Sequence, residues 1–308
     1  MSAPAKPPSR HQSVKALLDA HPGERDAKEV IRRLARSKVA HAKSLGWMGP
    51  PFCPKEFSSI FGIRCKEVTH PIGGDGRILV NRDGNPVIEY ASGRMPERQR
   101  FTIFHEFAHT LFPDYCVFVP HHHAPENQLS AEEKEFEYLC DVAAAEMLLP
   151  FEEFSRDLAR QPVACFDAIH NLRQLYVASI DATTYRLVDF ETRVSCAAVF
   201  LTDQKKNFAN DGPLWVNHSC RSARFGTFIW PGTTPPPTSV TLRCYRDGML
   251  TTEQARETWS VKEEERTWLV QAARLPAIPE SPAYPKIVAL LVTPPTDQKV
   301  RPPNARRR

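Results

Sequence analysis

Residues 101–112 read Phe-Thr-Ile-Phe-His-Glu-Phe-Ala-His-Thr-Leu-Phe, with two histidines four positions apart. On an α-helix, residues i and i+4 lie on one face, so the imidazoles of His105 and His109 point the same way. Two imidazoles placed in this manner can hold one Zn²⁺. Glu106 lies beside that face, within reach of a water on the metal, and its carboxylate could take a proton from that water.

The pentapeptide from His105 to His109 is the His-Glu-x-x-His pattern of zinc peptidases. So short a pattern also occurs by chance, and the alternative is an amphipathic helix with two surface histidines. An apolar stripe spaced by three, four and three positions favours the metal site, because it predicts a buried helix whose polar groups need partners. The stripe consists of Phe101, Phe104, Ala108 and Leu111.

The composition indicates a soluble globular protein of one large or two ordinary domains, with 308 residues, 42% hydrophobic and 25% charged. The sequence has no run of 18 apolar residues and no apolar region near its N-terminus, so we expect a cytoplasmic protein without a membrane partner. The eight cysteines are scattered, without a Cys-x-x-Cys pair. This spacing predicts reduced thiols and no disulfide framework.

The net charge of +4 lies mainly at the two ends of the chain. We expect a proline-rich disordered arm at residues 1–15 and a basic disordered tail at residues 295–308. The body between them is slightly acidic, so the basic isoelectric point does not predict a basic DNA-binding surface. Non-specific contact of the two arms with nucleic acid is the alternative to solvated, disordered ends.

Residues 16–150 are predicted to form a mainly helical domain that contains a small β-sheet. An Asp-Gly turn signal separates two short apolar runs and predicts a hairpin just before the histidine helix. The edge of that hairpin, within residues 78–90, is a candidate for holding a substrate backbone. Expected helices are 13–20, 26–45 and 54–62, and expected strands are 78–80 and 87–90.

A second helix, which begins at the capping box Ser130–Glu133 and ends at Leu149, supplies acidic groups. Glu137 and Asp141 share one face of it, and the alanines that follow allow close contact with the histidine helix. A carboxylate facing two histidines would be a third ligand, and the next one could accept the free N–H of a ligating histidine. An ordinary charged helix face is the alternative.

The two helices carry two motifs in a defined order and spacing. The first reads Arg100-Phe-Thr-Ile-Phe-His-Glu-Phe-Ala-His109, and the second reads Glu137-Tyr-Leu-Cys-Asp-Val-Ala-Ala-Ala-Glu-Met-Leu-Leu-Pro150. Together they resemble the ImmA/IrrE-type metallo-endopeptidases, and the resemblance extends more weakly over about 26–190. Phe107 and Ala108 depart from the family, in which Leu and Gly are usual.

The resemblance implies a zincin-like domain with His105, His109 and Glu137 as metal ligands and Glu106 as general base. Asp141 occupies the position at which a partner for a ligating histidine is expected. The metal would be Zn²⁺, although two histidines and a carboxylate also accept Mn²⁺ or Fe²⁺. The sequence does not assign a residue that donates a hydrogen bond to the transition state, and the nearest candidates are Tyr115, Tyr138 and the histidines at 121–123.

The resemblance also implies the substrate, a specific cytoplasmic protein. In this family it is typically a helix-turn-helix transcriptional repressor that is cleaved in a stress or mobile-element response. Nothing in the residues themselves identifies that substrate.

Residues 151–193 are predicted to be a helical linker segment, in which 168–187 has a helix-turn-helix pattern. Its second helix would begin at Ile180 and carry one positive charge, Arg186. Reading DNA requires lysines or arginines that contact phosphates, so structural packing is favoured over DNA binding.

Residues 194–294 are predicted to be a separate C-terminal α+β domain, and the resemblance implies a GAF-like sensory domain there. Strands are expected at 194–201, 214–216, 227–230, 239–245 and 286–292. The predicted fold class of the whole chain is α+β. Two further functions remain open: a DNA-binding transcriptional regulator with a structural metal site, and a ligand sensor that uses the C-terminal domain.

Overall fold

The structure is a computed structural model that describes residues 10–81, 84–115, 129–204, 212–261, 264–276 and 285–294. The chain divides into two compact units, Met1–Phe154 with Gln174–Ser179 and Ser155–Arg173 with Ile180–Arg308. The predicted tail, most of the predicted arm and the histidines at 121–123 lie outside the described residues. No helix in the described ranges is long and apolar enough to cross a membrane.

The first unit is mainly helical, as predicted. Asp26 caps the second helix by accepting a hydrogen bond from the backbone N–H of Lys28. Pro54 and Pro96 begin the third and fourth helices, at a position where the backbone N–H has no partner within the helix, so its absence does not destabilise the helix. The helices are α1 (Gln12–Asp19), α2 (Ala27–Ser44), α3 (Pro54–Ile60), α4 (Pro96–Ala108) and α5 (Ala131–Leu148). A single 3₁₀ turn, His109–Leu111, extends α4.

A three-stranded sheet lies between α3 and α4 in the sequence. The predicted hairpin is confirmed, since β2 (Gly76–Val80) pairs antiparallel with β3 (Pro86–Ala91). The strand β1 (Arg64–Val68), which was not predicted, pairs parallel with β3, so the order is β1-β3-β2. No apolar alternation in the sequence predicts β1, because it is a polar strand at the sheet edge with three exposed residues.

Aromatic side chains fix α4 in the core of the first unit. The Phe104 ring lies 5.5 Å from the Phe57 ring and 6.3 Å from the Trp47 ring, and Phe107 lies 4.9 Å from Phe57, measured between ring centroids. Phe104 and Phe57 are fully buried. Truncation of such a residue to alanine costs about 3–5 kcal/mol, so this cluster sets the position of the histidine helix.

Residues 151–190 are helical, as predicted: α6 (Phe151–Leu158), α7 (Phe166–Tyr176) and α8 (Ile180–Phe190). The expected helix-turn-helix pattern is present, with α8 beginning at Ile180. One side of α8 is buried, including Arg186, whose guanidinium lies 4.1 Å from the Phe190 ring. Tyr185 on α8 stacks on Phe200 at a centroid distance of 4.9 Å.

Five antiparallel strands form the sheet of the second unit, in the order β5-β4-β8-β7-β6. The central strand β8 is buried at every position, and one face of the sheet, with α9, encloses a core that includes Trp259 and Trp268. The strands are β4 (Cys196–Thr202), β5 (Trp215–Arg221), β6 (Ala255–Val261), β7 (Glu264–Arg274) and β8 (Ile287–Val292), and α9 spans Val240–Asp247.

Two strand predictions in this unit were wrong. Residues 239–245 were expected to be a strand because Val240, Leu242 and Cys244 alternate, but they begin α9, which Ser239 caps and Gly248 ends at a φ of 69°. Residues 227–230 form no strand, because the carbonyl of Ile229 accepts from the Ser219 hydroxyl and Pro231 has no N–H for a ladder.

Candidate metal centre

The histidine pair lies where α4 passes into its 3₁₀ turn. His109 keeps helical backbone angles, with φ of −55° and ψ of −32°, so its side chain stays on the face of His105. The two imidazole centroids are 5.2 Å apart. Arg100, the first residue of the motif, donates from Nη2 to the carbonyl of Phe52 at 2.5 Å, which ties α4 to the connection between α2 and α3. Its contact is therefore structural.

Helix α5 brings the acidic groups to this face. The capping box is present in both directions, since Ser130 Oγ accepts from the Glu133 backbone N–H and Glu133 accepts from that of Ser130. Ala143 and Ala144 are fully buried, which permits close packing of α5. Glu146, also buried, accepts hydrogen bonds from Nε and Nη2 of Arg36 at 3.2 and 3.0 Å and so fixes α5 against α2.

Three potential ligands converge between α4 and α5. The donor atoms of His105, His109 and Glu137 all lie within 4.8 Å of one another. Nε2 of His105 is 3.0 Å from Oε2 of Glu137, and Nε2 of His109 is 3.9 Å from Oε2 of Glu106. Two imidazoles and one carboxylate form a donor set found in catalytic zinc sites, so these residues fit a metal ion.

The other imidazole nitrogens face α5. Nδ1 of His105 lies 2.8 Å from Oδ1 of Asp141, the contact that the i, i+4 spacing predicted for this aspartate. A carboxylate on one ring nitrogen fixes the tautomer and aims the second nitrogen at a metal. Nδ1 of His109 lies 3.6 Å from the sulfur of Cys140. Sequence reasoning missed Cys140, because a cysteine on the buried face of a helix indicates packing.

Hydrogen bonds to two carboxylates favour the protonated form of His105. Burial alone would lower the pKa of His105, but its hydrogen bonds to Asp141 and Glu137 outweigh burial and raise the pKa well above the ordinary value. A histidine binds a metal in its neutral form, so metal and proton compete for His105.

Glu106 has the pKa expected of a general base. Burial disfavours its charged form and raises its pKa to about 7, while the nearby His105 opposes the shift and Glu137 reinforces it. A hydrogen bond from the backbone of Ile78 on β2 also stabilises the carboxylate. A base with a pKa near the working pH combines availability with basicity.

Gly76 on β2 permits this close approach to α4. A Cβ at this position would lie 2.4 Å from Cγ2 of Thr102 and 3.1 Å from Cγ of Glu106. A larger residue at this position would force the Thr102 side chain, and with it the strand or the helix, to shift. The sequence gives no signal for this requirement, which depends on how the strand and the helix pack.

Of the candidate hydrogen-bond donors to the transition state, only Tyr138 has a described environment that bears on this role. Tyr138 is half exposed, and Nζ of Lys28 lies 5.7 Å from the centroid of its ring. Tyr115 lies at the end of a described segment, and the histidines at 121–123 fall outside the described residues. The described cysteines are free thiols, as expected.

Part of the chain, including the metal-site residues, matches a known protein family. Residues 65–188 match the Peptidase M78 family model, described as the IrrE N-terminal-like domain, a family of metallopeptidase-type hydrolases. No curated protein matches the chain. A solved structure named Mycobacterium tuberculosis transcriptional regulator aligns at 17% identity and a TM-score of 0.52, over 85% of this chain and 87% of that chain. At that identity, the likeness shows the fold alone. The match of residues 65–188 to the IrrE N-terminal-like domain agrees with the resemblance to the ImmA/IrrE type that the two sequence motifs indicated.

Proposed function

We propose that the protein is a zinc-dependent endopeptidase. The observation that carries the proposal is the convergence of His105, His109 and Glu137 within 4.8 Å, beside a buried glutamate whose pKa is about 7. The family match supports a hydrolase of this class. Mn²⁺ or Fe²⁺ would suit the same donors, so metal analysis of protein purified without a histidine tag decides the identity of the metal.

The residues of the site have distinct roles in peptide hydrolysis. A metal held by His105, His109 and Glu137 would polarise the substrate carbonyl and make water a stronger nucleophile at neutral pH. Glu106 accepts the proton of the attacking water and then delivers it to the leaving amine. Asp141 holds His105 in the tautomer that leaves Nε2 free as a ligand.

The strand β2 is a candidate for binding the substrate. It lies at the edge of its sheet and reaches the catalytic helix through Gly76, while Val80 is 44% exposed. An extended peptide could pair with this edge as an added strand, which would carry its backbone past Glu106. As the family resemblance implies, we propose that the substrate is a helix-turn-helix transcriptional repressor.

Removal and return of the metal test the proposal. The full chain is incubated with helix-turn-helix repressors encoded near its gene, and the products are identified by mass spectrometry. We expect one cut with Zn²⁺, no cut after chelation, and restored cleavage when Zn²⁺ is added back. Cleavage that continues in the metal-free protein would contradict the proposal.

A second candidate function is transcriptional regulation through DNA binding, because the structural neighbour is named a transcriptional regulator. The geometry of α8 argues against DNA binding in which α8 is the recognition helix. Its buried face includes Arg186, the one positive charge that the helix could offer to phosphates. Salt-dependent retention on DNA that is lost when the terminal arms are removed would favour this function. A third candidate, ligand sensing by the sheet of the second unit, has no supporting observation.

A further inference from the structure

We propose that Cys140 is a positioning residue for His109, whose Nδ1–H donates a hydrogen bond to the cysteine sulfur and whose Nε2 is thereby directed to the metal. This inference rests on the proposed metal site. It assigns a role to a side chain that neither spacing nor the two motifs marked as functional.

The contact is direct and lies inside the protein. The sulfur of Cys140 is 3.6 Å from Nδ1 of His109, within the range of hydrogen bonds to sulfur. Cys140 is fully buried, and His109 is 7% exposed. The Phe136 ring, one turn before Cys140 on α5, lies 5.3 Å from the His109 ring at 49°. One face of α5 therefore contacts the imidazole at two points, which constrains both its plane and its rotation.

The tautomer of His109 determines which atom donates in its hydrogen bond with the sulfur of Cys140. A neutral imidazole has one N–H, and a nitrogen that binds a metal must be the unprotonated one. If Nε2 of His109 is the ligand, the proton is on Nδ1, and the sulfur is the acceptor. Nε2 also faces Glu106 at 3.9 Å, on the side where the donors converge.

Neighbouring residues of one helix thus serve the two histidines differently. Asp141 places a carboxylate on Nδ1 of His105 at 2.8 Å, whereas Cys140 places a sulfur on Nδ1 of His109. The partner of His109 is thus a sulfur atom, in a site that already contains the three carboxylates of Glu106, Glu137 and Asp141.

Two substitutions in the full-length protein test this role. Cys140→Ala removes the acceptor, and Cys140→Ser keeps a small acceptor at the same place. Cys244→Ala, which also removes a fully buried thiol, is the control for a lost core sulfur. Zinc affinity is measured by competition with a chromophoric chelator, and circular dichroism of the metal-free variants reports folding.

We expect Cys140→Ala to weaken zinc binding about tenfold, the lower end for loss of a histidine partner, because sulfur is a weak acceptor. Cys140→Ser should bind zinc within about threefold of the wild type, and so should Cys244→Ala. If folded Cys140→Ala binds zinc as tightly as the wild type, the proposal is overturned, while the endopeptidase proposal stands. A wild-type chain that binds no zinc overturns both proposals.

A spectroscopic measurement on the wild type keeps the proposal testable if Cys140→Ala does not fold. The ¹⁵N shifts of histidine in the zinc-loaded protein, with the His109 signals identified by their loss in His109→Gln, distinguish the two tautomers. We expect the proton of His109 on Nδ1. A proton on Nε2 of His109 would overturn the proposal, since the hydrogen bond to sulfur would then have the wrong direction.

Discussion

At the scale of single residues, the site combines buried charges with partners that offset only part of the cost of burial. Glu106 is 9% exposed, and its pKa of about 7 reflects the free-energy cost of burying the charged carboxylate. The same burial that destabilises the folded protein makes Glu106 a useful base at neutral pH. Burial of Glu106 therefore favours catalysis and lowers stability, and both effects can be measured, as a rate of cleavage and as a free energy of unfolding.

Glu106→Gln is expected to stabilise the metal-free protein at high pH. The folded pKa is about 7 against an ordinary value of 4.5, so wild-type stability is full below pH 4.5 and falls as the pH rises through 7. At 1.36 kcal/mol per pKa unit, the variant gains at most about 3 kcal/mol at pH 8. Urea unfolding of both proteins at pH 4.5 and 8 measures this gain. Equal gains at the two pH values would contradict the burial of a charge.

Asp141→Ala is expected to weaken zinc binding about 10- to 100-fold, because His105 loses the carboxylate that fixes its tautomer. Chelator competition measures this effect. Glu152→Ala, a change to a glutamate whose side chain is 83% exposed, is the matched control and should leave the affinity unchanged. An unchanged affinity in Asp141→Ala would show that its hydrogen bond to His105 does not support metal binding.

At the scale of elements, the sequence predicted those parts of the fold that carry a local signal. The helix caps at Asp26 and Ser130 are local hydrogen bonds, and both are present. The histidines and carboxylates of the site follow from i, i+4 spacing on α4 and α5. The contacts of Gly76 and Cys140 could not be predicted, because they depend on the packing of elements distant in the sequence.

Two edge strands were missed and one helix was mistaken for a strand, because burial and packing, and not local pattern, determine these elements. The strands β1 and β6 expose charged residues at the edges of their sheets, so neither shows a strong apolar pattern. The α9 segment alternates apolar and polar residues like a strand, yet its capping by Ser239 and its packing on β7 favour a helix. Tertiary packing overrides the local β-propensity there.

Gly76→Ala tests the approach of β2 to α4. The new Cβ would collide with Cγ2 of Thr102 and press on Glu106, so we expect peptidase activity to fall about 10²-fold with little change in zinc affinity. Thr102→Ser removes the obstructing methyl group and should restore part of the activity in the double variant. Gly74→Ala, whose Cβ would meet nothing closer than 3.9 Å, is the control. Full activity in Gly76→Ala would refute the steric argument.

Glu146→Gln tests the attachment of α5 to α2. The buried carboxylate accepts two hydrogen bonds from Arg36, which is 43% exposed, so we expect the free energy of unfolding to fall by about 2 kcal/mol. Urea unfolding of the metal-free protein measures this change. Glu152→Gln, which alters an exposed partner, should change it little. A neutral result at Glu146 would show that other contacts hold α5 in place.

At the scale of the whole molecule, the proposed chemistry lies in one unit. The first unit contains α4, α5 and β2, while the second combines α8 and a five-stranded antiparallel sheet. The order of predicted helices and strands indicated the α+β class, but the role of the second unit does not follow from its fold, since one fold can support unrelated functions. The GAF-like sensory role stays a prediction.

The most direct test of the central claim compares the wild type with Glu106→Gln at matched zinc content on one repressor substrate. The ligands His105, His109 and Glu137 are intact in the variant, so it should hold one zinc per chain. We predict cleavage at least about 10²-fold slower than that of the wild type, because the general base is missing. A zinc-loaded variant that cuts at the wild-type rate would contradict the endopeptidase mechanism.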